Sequence, residues 1–264
     1  MRLRAPGLLG GLDGLSFAAH ALGHSTTVDT DPYRVLDLSS GLTGRGAVLL
    51  DRTQEETGVE RLTAVLTELG PRVGELPRES AGMAHGPAGP LALLSLAWSA
   101  GIEVLGQVTA IHRAVERILE LRRDDAWGPD WRVPASWCHG SPGIARALWL
   151  AGTALDDARL RELAGETVLA ALRRPPALRR IDGRVGLCHG LAGLLLITLR
   201  FAQDTADPAF RPAAHDVAGR LLDRYSASEP TTPGLLDGAA GVLLAVLSAT
   251  TPVPPAWDRA LLLS

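Results

Sequence analysis

The apolar residues of this chain fall into two kinds of segment that alternate along its length. Segments such as PLALLSLAWSA (90–100) and LLLITLRFAQ (194–203) are apolar nearly all round, which predicts buried helices. Segments between them, such as VERLTAVLTELG (59–70), place apolar residues three and four positions apart with charges opposite, which predicts surface helices. Similar surface patterns occupy 108–124, 158–174 and 213–227, and no useful stretch alternates as a strand would. The pattern predicts an all-α protein.

A Gly-x-x-Gly pair opens an apolar segment at six places along the chain. The first glycines are separated by 30, 45, 54, 50 and 48 residues, and they are Gly11, Gly41, Gly86, Gly140, Gly190 and Gly238. Buried and surface helices that alternate at near-regular spacing predict an α/α toroid, a six-fold double ring of helices formed by one domain over residues 1–264. An α-solenoid that binds a partner would use the same turns, and the repeat alone does not decide between the two.

The spacing of 30 residues between the first two pairs departs from the rest. The polar segment 23–37 contains Pro32 and has no helical period, so a complete outer helix is missing there. We therefore expect the ring to be thin or open on its N-terminal side. The glycine turns should meet at one end of the inner ring, where they would form a shallow bowl suited to a ligand.

Reactive side chains gather at the two positions before the first glycine of each pair. The chain has two cysteines and seven histidines, and both cysteines and three histidines occur there: His85, Cys138, His139, Cys188 and His189. Thiolate and imidazole together suit tetrahedral zinc. Core packing of the cysteines, or one disulfide between them, are the alternatives. The other four histidines lie away from the turns, and we expect them to be structural: His20, His24, His112 and His215.

The turn sequences resemble the lanthionine synthetase C-like proteins, the zinc-dependent cyclases of lanthipeptide biosynthesis. The matching phrases are MAHGPAGPLALLSLAW, SWCHGSPGIARALWLAG and GLCHGLAGLLLITLRFA. The resemblance implies a toroid with one Zn²⁺ held by Cys138, Cys188 and His189, and a fourth position open to water or a substrate thiol. It further implies that His85 is an acid/base group, that Asp37 is an active-site aspartate, and that the substrate is a dehydrated lanthipeptide precursor, with a lanthipeptide dehydratase as a second partner.

The chain departs from the family pattern at two places beside the first cysteine. The family usually has tyrosine after that cysteine, where this chain has His139, and arginine four residues before it, where this chain has Pro134. The nearest arginine is Arg132. His139 could close the metal site as a fourth ligand or remain off the metal as a second proton donor. We favour the second hypothesis, which makes His139 catalytic and leaves the site open.

Three other functions are alternatives to an active cyclase. A degenerate zinc-containing module could bind the precursor peptide or a partner modification enzyme without catalysis. A toroidal glycosidase needs a carboxylate pair across the bowl, and Asp37 and Asp237 do not account for the Cys-His pairs. A prenyl-binding toroid needs an aromatic lining, and the chain is only 4% aromatic. Mixed charge with a formal net charge of −3 does not favour nucleic acid, and no apolar run is long enough for a membrane span, so we expect a cytoplasmic protein.

Overall fold

The computed structural model describes residues 7–9, 11–24, 35–76, 79–123, 126–127, 134–227, 232–252 and 255–264. Its α-helices in chain order are α1 (Leu12–Ala21), α2 (Leu42–Leu50), α3 (Gly58–Arg72), α4 (Ala88–Ser99), α5 (Gln107–Glu120), α6 (Ser141–Ala154), α7 (Ala158–Arg173), α8 (Pro176–Arg179), α9 (Leu191–Asp204), α10 (Phe210–Ala227) and α11 (Ala239–Thr250). Two 3₁₀ helices cover Val73–Glu75 and Trp257–Leu261. Strands β1 (Arg122–Arg123) and β2 (Ala126–Trp127) pair antiparallel.

The helices form two concentric layers, as the alternating pattern predicts. The inner helices α1, α2, α4, α6, α9 and α11 each follow a Gly-x-x-Gly turn or begin within it, and successive members contact one another. The outer helices α3, α5, α7 and α10 each pack on the inner helix that precedes them. In addition, α2 contacts the C-terminal 3₁₀ helix, so the last helical segment packs against the second inner helix. The predicted α/α toroid is confirmed. The surface helix predicted over 108–124 ends earlier than its pattern indicates: α5 stops at Glu120, and strands β1 and β2 follow.

Burial distinguishes the two layers. Most residues of α4 and α9 are buried, whereas α7 buries one face through Leu160, Ala164 and Val168. The first and last inner helices are less covered, since Leu15 of α1 and Leu243 of α11 are each 56% exposed. The segment 25–34, where the sequence predicts that an outer helix is missing, lies outside the described residues.

No helix among the described residues combines the length and apolar character that crossing a membrane requires.

The C-terminal segment packs against inner helices and explains the arginines that these otherwise apolar helices carry. Leu261, Leu262 and Leu263 are buried. Arg146 of α6 donates to the carbonyl oxygen of Leu263, and Arg200 of α9 donates two hydrogen bonds to the buried carboxylate of Asp258. A buried guanidinium needs such partners because an unpaired buried charge is strongly destabilising. The segment is therefore an integral part of the core.

The turns use glycine because backbone atoms approach closely there, not because the backbone is left-handed. Gly140 precedes α6 in extended conformation with φ −85°. A Cβ at Gly143, in the first turn of α6, would overlap the carbonyl oxygen of Trp137. The preceding loop can thus fold directly onto the helix N-terminus, which fixes the position of the Cys138-His139 pair.

Candidate metal centre

The turns that carry His85 and the two Cys-His pairs meet at the end of the ring where the inner helices begin. Backbone hydrogen bonds connect neighbouring turns, from Leu38 to Ala84, from Ala84 to Cys138 and from Cys188 to Leu236. Each bond joins a residue two or three positions before the first glycine to its counterpart in the next turn. The same repeat position in successive turns is therefore brought side by side around the bowl.

Cys138, His139 and His189 form a cluster with metal-ligand chemistry at this end. Their potential ligand atoms all lie within 4.8 Å of one another, and Cys138 Sγ lies 3.2 Å from His189 Nε2. Around one tetrahedral zinc ion, bond lengths of about 2.0–2.3 Å place the ligand atoms about 3.3–3.8 Å apart. The donor types thus suit zinc, and the separation of Cys138 Sγ from His189 Nε2 is close to that between two ligands of one zinc ion.

Cys188 neighbours Cys138 but does not belong to the cluster of ligand atoms within 4.8 Å of one another. No disulfide joins them: both are free and buried. A hydrogen bond between the two thiols lowers the pKa of Cys138 and raises the pKa of Cys188, and burial raises the second further. Cys138 Sγ also lies 3.3 Å from the Cys188 carbonyl oxygen. A bound zinc ion would deprotonate the thiols that coordinate it.

His85 is held by Asp37 across two turns of the ring. His85 Nδ1 lies 2.8 Å from Asp37 Oδ2, with the histidine half-exposed toward the bowl and the carboxylate mostly buried. The other carboxylate oxygen of Asp37 accepts from the backbone N–H and the hydroxyl of Ser40. Because Nδ1 is engaged, the remaining nitrogen of His85 is the one available to a substrate.

His139 lies between the other two histidines of the bowl. Its ring centroid is 5.7 Å from that of His85, with 28° between the ring planes, and 6.2 Å from that of His189. Burial is the main cause that lowers the pKa of His139, and the nearby His85 and His189 lower it further. A neutral imidazole at this position keeps a lone pair free to bind a metal or accept a proton.

The structure adds one acidic residue to the site that the sequence argument set aside. Asp237 Oδ1 lies 4.0 Å from Nδ1 of His189, whose Nε2 faces Cys138. A carboxylate on the far nitrogen of a ligating histidine orients the ring and raises its basicity. The signal was present, because Asp237 immediately precedes Gly238 just as His189 precedes Gly190. Arg132 lies outside the described residues, and Pro134 supplies only backbone contacts to its turn.

Comparison with known proteins places this arrangement in a family. The family model for lanthionine synthetase C-like protein matches residues 12–262. The chain belongs to this family. Among solved structures, this chain is similar to nisin cyclase, with a TM-score of 0.81 and 18% sequence identity. The match covers 99% of this chain and 81% of that chain. At this identity the likeness shows the shared toroid. The resemblance drawn from the turn motifs is thereby confirmed.

Proposed function

We propose that this lanthionine synthetase C-like protein is a lanthipeptide cyclase, which adds cysteine thiols to dehydroalanine or dehydrobutyrine within one precursor peptide to form thioether rings. The observation that carries the proposal is the convergence, at one end of the toroid, of a thiol–imidazole cluster and the His85–Asp37 pair. Support for the substrate class comes from the family match over 12–262 and the likeness to nisin cyclase.

Cys138, Cys188 and His189 are the residues that we propose hold Zn²⁺. Two soft thiolates and one imidazole are typical zinc donors, and the Asp237 carboxylate lies near His189, at 4.0 Å, beyond direct hydrogen-bond distance. Bound zinc would supply the Lewis acidity that converts a substrate thiol, with an ordinary pKa near 8.5, into a nucleophilic thiolate at neutral pH. The proposal includes one domain over the whole chain and a cytoplasmic location.

His85 is the proton donor in this proposal. Addition of the substrate sulfur to the alkene β-carbon forms a C–S bond, and the proton lost from the thiol is balanced by one gained at the α-carbon, so the product is an isomer of the substrate. A half-exposed imidazole with one nitrogen fixed by Asp37 can deliver that proton from its other nitrogen. Asp37 then acts as a positioning residue, since it holds the tautomer and orientation of the ring.

The proposal is tested with purified protein, zinc and a dehydrated precursor that retains free cysteine. Ring closure leaves the mass unchanged, so unreacted thiols are counted by alkylation and mass spectrometry. The wild type should protect thiols faster than a protein-free control. His85→Ala should retain zinc and lose closure, whereas Cys188→Ala should lose both.

The alternative, a zinc-containing module that binds the precursor or a dehydratase without catalysis, gives a different result. The place of His139 beside Cys138 and His189 favours that alternative, because a fourth protein ligand would leave no vacancy for a thiol. Such a module would bind the precursor in a pull-down and leave its thiols alkylatable at the control rate. That outcome would overturn the cyclase proposal and retain the metal site.

A further inference from the structure

Two Cys-His pairs occupy equivalent positions in adjacent turns, which makes His139 the counterpart of His189. Each pair directly precedes the first glycine of its turn, Gly140 or Gly190. The ligand atom of His139 lies within 4.8 Å of both Cys138 Sγ and the ligand nitrogen of His189. The ligand atoms of a tetrahedral site are about 3.3–3.8 Å apart, so a shift of no more than about 1.5 Å would bring His139 into the coordination sphere.

The contacts of His139 leave its ring nitrogens available. Among the described residues, His85 is held by Asp37 and His189 approaches Cys138, but His139 makes ring contacts alone. Its ring stacks on that of His85, with centroids 5.7 Å apart and 28° between the planes, which is a contact that does not use its ring nitrogens. The side chain is half-buried, so it is partly open to the solvent.

We infer that His139 is a fourth, displaceable ligand of the metal, so that the resting centre carries two sulfur and two nitrogen donors and a thiol enters by displacing His139 onto the His85 stack. The inference rests on the proposed zinc site, and it revises the hypothesis that the fourth position is open. A tyrosine, the residue that the family resemblance places here, would leave that position to water.

The experiment is X-ray absorption at the zinc edge on the purified protein. The wild type should show two sulfur and two nitrogen ligands, and His139→Tyr should show two sulfur, one nitrogen and one oxygen. Addition of N-acetylcysteine should convert the wild type to three sulfurs and one nitrogen. His85→Ala, which removes the stacking partner and not the ligand, is the matched control and should keep two sulfurs and two nitrogens.

Metal affinity provides a second readout that does not depend on catalysis. Loss of a ligand should weaken zinc binding of His139→Ala at least tenfold in competition with a chelator, while N-acetylcysteine should bind His139→Tyr more tightly than the wild type. A wild-type spectrum with two sulfurs, one nitrogen and one oxygen, unchanged in His139→Ala, overturns this inference and leaves the cyclase proposal intact. A wild type that retains no zinc overturns both.

Discussion

Removing one charge from the buried Arg200–Asp258 pair should destabilise the whole toroid. Asp258 is 0% exposed, and its two carboxylate oxygens each accept from Arg200 at 2.6 Å. Ser264 donates to the same carboxylate at 2.7 Å, so the pair also anchors the end of the chain. Asp258→Asn keeps the shape and leaves the Arg200 guanidinium buried without its counter-charge.

The expected loss is about 3–5 kcal/mol of unfolding free energy, the usual cost of breaking a buried ion pair from one side. Stability of a domain is about 5–15 kcal/mol in total, so the change is a large fraction of it. With a urea slope of about 2–3 kcal/mol/M, the unfolding midpoint should fall by about 1–2.5 M. Urea unfolding followed by circular dichroism measures this shift.

An exposed pair of similar geometry provides the control. Glu68 lies 2.8 Å from Arg72 on α3 and its side chain is 46% exposed, so Glu68→Gln should cost no more than about 1 kcal/mol. Replacing both partners, Arg200→Met with Asp258→Leu, should recover most of the lost stability, because no charge is then left buried. If the unfolding free energy of Asp258→Asn lies within about 1 kcal/mol of the wild-type value, the Asp258 carboxylate is hydrated in the folded protein and the reasoning is refuted.

Two further predictions concern the turns. In the metal-free protein, Cys188→Ala should raise the pKa of Cys138, and Cys138→Ala should lower the pKa of Cys188. The reason is that the hydrogen bond between the thiols shifts their two pKa values in opposite directions. Thiolate absorbance against pH measures both pKa values, and an unchanged value in either variant contradicts the contact. Gly143→Ala should lower the unfolding free energy by about 1–3 kcal/mol, because its Cβ would overlap the Trp137 carbonyl oxygen. The control is Gly165→Ala, in an open place on α7, which should be neutral or stabilising by up to about 1 kcal/mol. Equal unfolding midpoints for the two variants would show that the turn tolerates a methyl group.

The sequence by itself determined the layers and the place of the chemistry. Helical period and apolar content are local properties, so the pattern over 59–70 predicted α3 as a surface helix, and all-round apolarity predicted α4 and α9 as buried helices. The six glycine pairs marked the turns for the same reason, because the close approach of Trp137 to Gly143 lies within a few residues. The Cys-His pairs then located the candidate site at equivalent turns.

Only the tertiary structure decided which side chains lie next to one another in the bowl. The sequence placed Asp237 at a turn, but only the ring brings its carboxylate to 4.0 Å from His189, which lies 48 residues earlier. The pairing of Arg200 with Asp258 joins residues 58 positions apart, and nothing in the local pattern of the inner helix indicates it. Likewise His139 could be read from the sequence as ligand or proton donor, and its placement among His85, Cys138 and His189 was fixed by the packing of neighbouring turns. Such contacts depend on how the helices close into a ring, which local periodicity does not encode.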